Sequence, residues 1–315
     1  MTARRAFVVG AYVPNGGTFM AYHLGRILQL DFGFEAIAVQ VGEETADSGI
    51  HRYDPIVPSM TVAEMEAAIG DDDVLICNPS FSSYMFGLRL PGRKICYVQH
   101  FNTFTLLDCR FDHYVAVSDV VSRYLFAVYG LSTRVIPAFI NIEIFPDASP
   151  WASRPAGSTL VYFKNDTAIV ELFMQRLKSL LSGRAPKISL DDVLSGITLP
   201  QPEFMRRIGA YRHLLVLTTT EGFGLVPLEA MAMGTTVIGF DGFGGRDYMR
   251  PGLNCAVAPY PDIEAVAEHL IAVTRMPDLA AKLARAGRAT AEQYAYARFR
   301  SAWIEEFSRF LEIEV

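Results

Sequence analysis

The sequence of 315 residues predicts an α/β protein built from two doubly wound domains. Short continuous apolar runs alternate with amphipathic helical patterns, which is typical of parallel strands that are buried on both faces and joined by helices. A segment rich in proline, serine and small residues interrupts the alternation at 148–158, and the same pattern restarts after it. The chain length also suits two domains of ordinary size.

The first half shows five strand patterns and three helix patterns. The predicted strands are Ala6–Val13, Ala36–Val41, Val74–Cys77, Ile95–Val98 and Tyr114–Val117. The predicted helices are Phe19–Leu30, Val62–Ile69 and Asp119–Tyr129. Thr61 with Glu64 forms a capping pair before the second helix, and Ser118 precedes the third, so both helix starts carry a recognisable signal.

The second half repeats this alternation. The predicted strands are Thr159–Phe163, Lys187–Leu190, Leu214–Thr218, Thr236–Phe240 and Cys255–Ala258. The predicted helices are Ile169–Leu181, Gln201–Ile208, residues 225–233, Ile263–Thr274, Leu279–Gln293 and a final one at Arg298–Leu311. The resulting domains are 1–147, a linker at 148–158, 159–296, and a C-terminal helix in 297–315. Two such sheets facing each other would leave a cleft at the carboxyl ends of their strands, where ligands bind in doubly wound folds.

Charge and cysteine content limit the classes of partner. Residues 1–150 hold 10 basic and 16 acidic side chains, whereas the remainder holds 18 of each, so neither half shows the basic excess of a nucleic-acid-binding protein. The four cysteines, at 77, 96, 109 and 255, fall in no metal-ligand spacing, and we expect reduced thiols in a cytoplasmic protein. No stretch approaches the roughly 20 apolar residues of a membrane span, and the short apolar run after Arg4 and Arg5 suits a strand better than a secretion signal.

The most informative segment runs from Thr218 to Phe240 and shows a strand, a glycine-bearing turn, a short helix and a second strand. Backbone amides at a helix N-terminus form an anion site, usually for phosphate. Glu221 and Glu229 bracket this turn, and carboxylates there would repel phosphate unless they bound hydroxyl groups of the same ligand. The combination predicts a nucleotide sugar. The alternative is a surface helix with an unrelated upstream glutamate.

The spacing of the two glutamates argues against glycoside hydrolysis. Even along a continuous helix, eight residues would separate them by roughly 12 Å. The paired carboxylates of a glycosidase lie about 5 to 9.5 Å apart. The pair is therefore better placed to hold two separate diol groups of an extended donor.

These residues resemble a known family. The run Glu221-Gly-Phe-Gly-Leu-Val-Pro-Leu-Glu229 is similar to the E-x7-E signature of retaining glycosyltransferases of the family 4 type, which have the GT-B architecture. The similarity continues through Gly239–Gly245 and Pro251–Asn254, and it reaches Val115–Ser118 and Ile136–Pro146 in the first half. Pro14-Asn-Gly16-Gly17 resembles the first glycine loop of the family. The resemblance implies two facing Rossmann-like domains with an interdomain cleft, a final helix that crosses back to the first domain, and no bound metal or other cofactor.

The resemblance also implies roles for particular residues. The amides of Gly222, Phe223, Gly224 and Leu225 would bind the diphosphate, Glu229 the ribose diol and Glu221 the transferred sugar. Gly16 and Gly17 would let the first domain approach the diphosphate, and His100 would contact the donor sugar or the reacting centre. From the sequence alone, Gly17 as a simple helix start and His100 as a structural residue are equally open readings.

The sequence departs from the family after the linker. Family members carry an arginine and a lysine that neutralise the pyrophosphate, whereas here the strand continues into Lys164 and the next lysine is Lys178. Lys164 is a candidate substitute, although a lysine cannot form the bidentate fork of an arginine. Arg246 is a second candidate, with a solvated surface charge as its alternative. Asp71-Asp-Asp73 reads as a solvated loop and not as a metal site.

The leading hypothesis is a metal-independent, retaining, hexosyltransferase-like enzyme that transfers a sugar from a nucleoside diphosphate donor, such as a UDP-sugar. The acceptor, which is a sugar, lipid, small molecule or protein, would be bound mostly by the first domain. The missing cation pair leaves two alternatives, a non-catalytic nucleotide-sugar-binding protein and a nucleotide-sugar epimerase. A dinucleotide dehydrogenase fits poorly, because Gly10–Gly17 lacks the G-x-G-x-x-G spacing. Peripheral contact with a membrane is left open.

Overall fold

The computed structural model describes residues 4–13, 15–42, 58–164, 167–184, 188–194 and 199–312. The chain divides into two compact units, of which the first combines Met1–Ala138 with Ala297–Val315 and the second is Phe139–Tyr296. Each unit is a parallel sheet packed against helices, which confirms the predicted α/β class. No helix in the described ranges is long and apolar enough to cross a membrane.

The first unit contains a seven-stranded parallel sheet. Its strands are β1 Arg5–Val9, β2 Glu35–Gln40, β3 Ser59–Thr61, β4 Val74–Cys77, β5 Arg93–Val98, β6 His113–Ala116 and β7 Arg134–Val135. Their order is β3-β2-β1-β4-β5-β6-β7, so the strand order reverses between β1 and β4 as in a doubly wound fold. The two edge strands were not predicted, because neither β3 nor β7 is a buried apolar run.

Four helices connect these strands, and their starts follow the predicted capping signals. They are α1 Gly16–Phe32, α2 Val62–Ala68, α3 Phe86–Arg89 and α4 Asp119–Tyr129. Thr61 and Glu64 form the predicted capping box, with the Thr61 amide donating to Glu64 Oε2 at 2.8 Å. Ser118 Oγ accepts a hydrogen bond from the amide of Val121 at 3.3 Å. Local side-chain chemistry therefore sets the starts of α2 and α4.

The second unit contains a four-stranded parallel sheet. Its strands are β8 Thr159–Tyr162, β9 His213–Val216, β10 Thr236–Phe240 and β11 Ala256–Ala258, in the order β11-β10-β9-β8. Its helices are α5 Thr167–Leu181, α6 Gln201–Gly209, α7 Leu225–Ala232, α8 Ile263–Arg275 and α9 Pro277–Ala291. The predicted strand at Lys187–Leu190 is wrong for residues 188–190, and Lys187 lies outside the described residues. Within the described residues, the contact with the sheet comes further along the chain, where Val193 forms an isolated bridge to Val161.

The final helix, α10 Tyr296–Leu311, packs mainly against the sheet of the first unit. Trp303 is fully buried, with its ring 5.1 Å from that of Tyr97 on β5. The buried Glu306 carboxylate pairs with His113 Nε2 at 2.6 Å and with Arg134 Nη1 at 2.7 Å. Aromatic packing and a buried ion network thus attach residues 297–312 to the N-terminal sheet.

The segment predicted as a linker lies within the second unit. Arg154 is 4% exposed and its guanidinium donates to the carbonyls of Tyr211 and Met233 at 2.8 and 2.6 Å. Burial lowers the pKa of Arg154 to about 10. The Trp151 indole donates to the Arg212 carbonyl at 3.1 Å. Residues 148–158 are therefore held to the β8–β9 end of this unit by buried hydrogen bonds.

Candidate functional site

The candidate site of the second unit lies beyond the carboxyl ends of β9 and β10. Two loops meet there: the Glu221 amide donates to the Gly242 carbonyl at 2.7 Å, and the Gly244 amide donates to the Glu221 carbonyl at 3.1 Å. A Cβ atom on Gly244 would collide with the backbone of Gly222 and Phe223. The glycines at these positions allow the two loops to pack backbone against backbone, which fixes Glu221 between them.

A hydrogen bond and the packing of one aromatic ring hold the glycine turn in place. Gly224 has φ of +87°, a conformation that favours glycine, and its carbonyl accepts a hydrogen bond from the buried Tyr248 hydroxyl. The ring of Phe223 is buried, 5.3 Å from that of Tyr248 and 5.6 Å from that of Tyr294. The Phe223 side chain therefore anchors the turn, and only its backbone is available to a ligand.

The turn presents consecutive backbone amides. Within the described part of the chain, the N–H groups of Phe223, Gly224 and Leu225 donate to no acceptor. Leu225 is the first residue of α7, where amides lack intrahelical partners, and Pro227 in the same turn has no N–H at all. Three neighbouring unpaired donors at a helix N-terminus are the arrangement that typically binds an anion. Three of the four amides predicted to bind a diphosphate, all but that of Gly222, thus lie unpaired at the start of α7.

Glu221 lies beside this turn with its carboxylate largely buried. Its side chain is 15% exposed, and Lys164 Nζ lies 3.8 Å from Oε2. Burial raises the pKa of Glu221, and the positive charge of Lys164 opposes part of that rise. The structure therefore brings Glu221 and Lys164 together, as two of the three predicted catalytic residues.

Glu229 lies inside α7 and is 9% exposed. Burial raises its pKa to about 7, and a hydrogen bond from Gln201, with Nε2 3.5 Å from Oε1, partly opposes this rise. Burial raises the pKa of Tyr162 as well, and the charges of Glu221 and Glu229 add to that effect, so this phenol lies near both carboxylates. Sequence reasoning missed Tyr162 and Gln201. Tyr162 ends β8 at the same edge of the sheet, so the strand pattern could have predicted it as a site residue. No sequence pattern points to Gln201.

The two candidate cations are each paired with a carboxylate. Lys164 faces Glu221, and Arg246 Nε donates to Asp241 Oδ2 at 2.8 Å with its guanidinium 4.7 Å from the centre of the Phe243 ring. Both side chains are about half exposed, at 51% for the lysine and 52% for the arginine. Either cation would have to weaken an existing ion pair to bind a diphosphate.

The predicted residues of the first unit lie at the carboxyl ends of β1 and β5. Gly16 starts α1, and the Gly17 carbonyl accepts a hydrogen bond from Gln99 Nε2 at 3.0 Å. His100 is buried, and its Nδ1 accepts from the amides of Phe101 and Asn102 at 3.0 and 3.2 Å. An Nδ1 that accepts two bonds leaves the ring proton on Nε2. Gly17 and the segment carrying His100 are thus neighbours, while Pro14 lies outside the described residues.

The acidic run at 71–73 is only partly solvated. Asp71 and Asp72 are exposed, but Asp73 is 4% exposed and pairs with Arg5 at 2.5 Å. Asp73 Oδ1 also accepts from the Arg5 amide at 3.1 Å. The solvated-loop prediction is therefore wrong for Asp73, because the start of β1 requires a buried partner. Across the described ranges, no three His, Cys, Asp or Glu side chains are grouped so that they could hold a metal.

Comparison with known proteins finds similarity to glycosyl transferases in the segment that holds this site. Residues 200–290 match the family model described as glycosyl transferases group 1, and this segment contains the glycine turn with both glutamates. This match shows similarity to the group 1 glycosyl transferases over that segment, and the solved structures described below show a shared fold. The chain is 25% identical over 203 residues to a phosphatidyl-myo-inositol mannosyltransferase of Mycobacterium leprae. The match covers 57% of this chain and 54% of that protein, so it spans about half the length of this curated relative.

Solved structures show the same fold over nearly the whole chain. Sucrose-phosphate synthase from Thermosynechococcus elongatus superposes with a TM-score of 0.71 at 14% identity, over 98% of this chain and all of that one. The Anabaena protein HepE, solved with UDP and glucose, gives 0.68 at 14% identity, over 97% of this chain and all of that one. The lipopolysaccharide outer core galactosyltransferase WaaB gives 0.67 at 14% identity, over 97% and 99%. At these identities the similarity establishes the fold.

Proposed function

We propose that the chain is a retaining glycosyltransferase that moves a sugar from a nucleoside diphosphate sugar to an acceptor. The observation that carries this proposal is the run of three unpaired amides, at Phe223, Gly224 and Leu225, with buried carboxylates on either side. The amides suit a diphosphate, and the carboxylates suit hydroxyl groups. A nucleotide sugar contains both features in one molecule.

The chemistry follows from where charge develops. Breaking the bond between sugar and phosphate leaves negative charge on the diphosphate and positive charge at the anomeric carbon. Fixed amide donors favour the leaving diphosphate and can contribute several kcal/mol to lowering the barrier, on the order of 3 kcal/mol for one donor. The Glu221 carboxylate would contact the transferred sugar, and Glu229 would accept hydrogen bonds from the ribose diol. The amides supply this stabilisation without a metal ion.

The finer assignments rest on the family resemblance. Retention of configuration, metal independence and the roles of Gly16, Gly17 and His100 are carried over from the E-x7-E family. UDP is the preferred candidate nucleotide, because HepE and the transferase GtfA were each solved with UDP. The acceptor, whether sugar, lipid, small molecule or protein, is assigned to the first unit.

Binding of nucleotide sugars by wild-type and variant chains tests this proposal. UDP-, GDP- and ADP-sugars are titrated by calorimetry, and sugar transfer or donor hydrolysis is then measured with the one that binds. We expect Glu229→Ala to weaken binding at least tenfold, because the ribose diol loses a charged acceptor worth about 1.5–3 kcal/mol. Glu264→Ala, an exposed glutamate of the same unit, should bind as wild type does. The proposal fails if no nucleotide binds or if the Glu229 variant binds normally.

A non-catalytic nucleotide-sugar-binding protein is the second candidate. Two observations favour this candidate. The arginine and lysine that neutralise the pyrophosphate in the similar family have no counterpart here, and the two candidate substitutes, Lys164 and Arg246, are each already paired with a carboxylate. Binding of a donor with neither hydrolysis nor transfer, across a broad acceptor panel, would support it. Turnover of a bound donor would exclude it.

A further inference from the structure

A buried hydroxyl group beside the candidate site has no protein partner. Thr218, in the segment between β9 and the glycine turn, is 1% exposed, and its Oγ1 atom makes no hydrogen bond to any described residue. Buried polar side-chain atoms nearly always have a partner in the protein or in an ordered water. Leaving a hydroxyl unpaired costs about 1–3 kcal/mol, so a partner for this group is expected.

Thr218 borders a small cavity under the glycine turn. The same cavity is lined by Tyr162, Glu221, Gly224 and Tyr248. The space open to the centre of a water molecule is about 10 Å³, which is close to the room that a single water requires and far less than a sugar requires. The lining surface is mostly apolar, but Thr218, Tyr162 and Glu221 bring polar side chains to it, and a water needs such partners.

We propose that one water molecule occupies this cavity and links Thr218 to the carboxylate of Glu221, which makes Thr218 a positioning residue for that glutamate. A water molecule has two donors and two acceptor sites. It can donate to Glu221 while it accepts from Thr218 Oγ1 and contacts Tyr162. On its other side the carboxylate faces Lys164 at 3.8 Å, so the water would fix the carboxylate from within the protein.

The functional part of this inference rests on the proposed role of Glu221 at the transferred sugar. A glutamate that contacts a sugar hydroxyl must hold one rotamer. A buried water that is hydrogen-bonded to the carboxylate and does not exchange freely with solvent restricts the rotation of that side chain. Loss of the water should therefore weaken recognition of the sugar but leave recognition of the nucleotide intact.

Replacement of Thr218 by valine and by serine tests the inference. Valine keeps the shape and removes the hydroxyl, whereas serine keeps the hydroxyl. Thr236→Val is the matched control, because Thr236 is equally buried in the same unit but its hydroxyl donates to the Ala280 carbonyl at 3.0 Å, away from the site. High-resolution crystal structures of the ligand-free wild type and of the three variants give the first measurement.

We expect density for one water within hydrogen-bond distance of Thr218 Oγ1 and Glu221 in wild type, T218S and T236V. In T218V the water should be absent and the Glu221 side chain should change rotamer or lose order. A dry cavity in wild type, or an unchanged Glu221 in T218V, would overturn the inference. This measurement needs no substrate, so it can fail or succeed independently of the proposed function.

Calorimetry with UDP and UDP-glucose gives the second measurement. We expect T218V to bind UDP as wild type does and to bind UDP-glucose about five- to tenfold more weakly, which corresponds to one hydrogen bond. T218S and T236V should match wild type for both ligands. If wild type binds neither ligand, the proposed function fails, while the crystallographic result still decides whether the water is present.

Discussion

Glu229 is a buried ionisable residue, and burial of its charged carboxylate destabilises the folded chain. The residue is 9% exposed, and burial raises its pKa to about 7 from an ordinary value of 4.5. The folded chain therefore binds a proton at this site that the unfolded chain has already released between pH 4.5 and 7. By linkage, the free energy of unfolding falls as the pH rises through this window. A costly buried acid in α7, one turn after the glycine turn, is in keeping with the binding role proposed for Glu229.

Replacing Glu229 with glutamine should remove this pH-dependent cost. We expect E229Q to be more stable than wild type at pH 8, by up to about 3 kcal/mol, with the difference shrinking toward pH 5 where Glu229 is protonated in the folded state. Urea unfolding at a series of pH values measures it. The exposed Glu264 provides the control, since E264Q removes no buried carboxyl group and should not stabilise the chain at pH 8. An equal effect of E229Q at pH 5 and pH 8 would contradict the burial account.

At the residue scale, the sequence predicted those site residues that lie close to one another along the chain. Glu221, Glu229 and the glycines of the turn are recognisable because strand, turn and helix follow one another directly. Gln201 joins the site only through tertiary packing, so no local pattern signals it. Tyr162 at the end of β8 and Thr218 just before Glu221 lie where the strand pattern could have pointed to them, but their contacts become visible only in the structure. The Phe223 ring is a similar case, since nothing in the motif shows that it anchors the turn in the core.

At the element scale, the proposed anion site depends on two loops that support each other. The loop after β9 carries Glu221 and Gly222, and the loop after β10 carries Gly242 and Gly244. A parallel bridge joins Glu221 to Phe243, and Gly242 has φ of +58°. The amides of the turn can point outward together because the second loop fixes the first from behind.

A methyl group at Gly244 should therefore weaken nucleotide binding strongly. In Gly244→Ala the new Cβ would collide with the backbone of Gly222 and Phe223, so the turn must shift and its amides must separate. We expect a loss of at least tenfold in UDP affinity, measured by calorimetry. Gly245→Ala is the matched control, because there the Cβ meets only the flexible Met249 side chain at 3.0 Å and binding should change less than threefold. Equal losses in both variants would argue against the two-loop account.

Also at the element scale, buried strands were easier to predict than exposed ones. β4 and β10 match their predicted bounds, because each is a continuous apolar run with turn residues on both sides. The edge strands β3 and β7 are short and partly exposed, and they exist because a neighbouring strand provides hydrogen-bonding groups. The run ending at Leu190 packs into the core without joining the sheet ladder, which apolar content alone could not reveal.

At the scale of the whole molecule, the chain forms two units, and the first is built from two separate stretches of the sequence. The first unit recruits residues 297–315 from the C-terminus, and the second already includes Phe139 and the Arg154 segment. Proline and serine content at 148–158 suggested a linker, but a buried arginine with backbone acceptors requires tertiary structure to be recognised. The doubly wound class was predictable because alternation of strands and helices is a property of the sequence itself.

The most direct test of the account is a crystal structure of the full chain grown in turn with saturating UDP, GDP and ADP. The account predicts that one of these nucleotides is ordered, with diphosphate oxygens about 3 Å from the amides of Phe223, Gly224 and Leu225 and with the ribose diol on Glu229. A nucleotide ordered elsewhere on the molecule, or an anion-free glycine turn at saturation with all three, would contradict it.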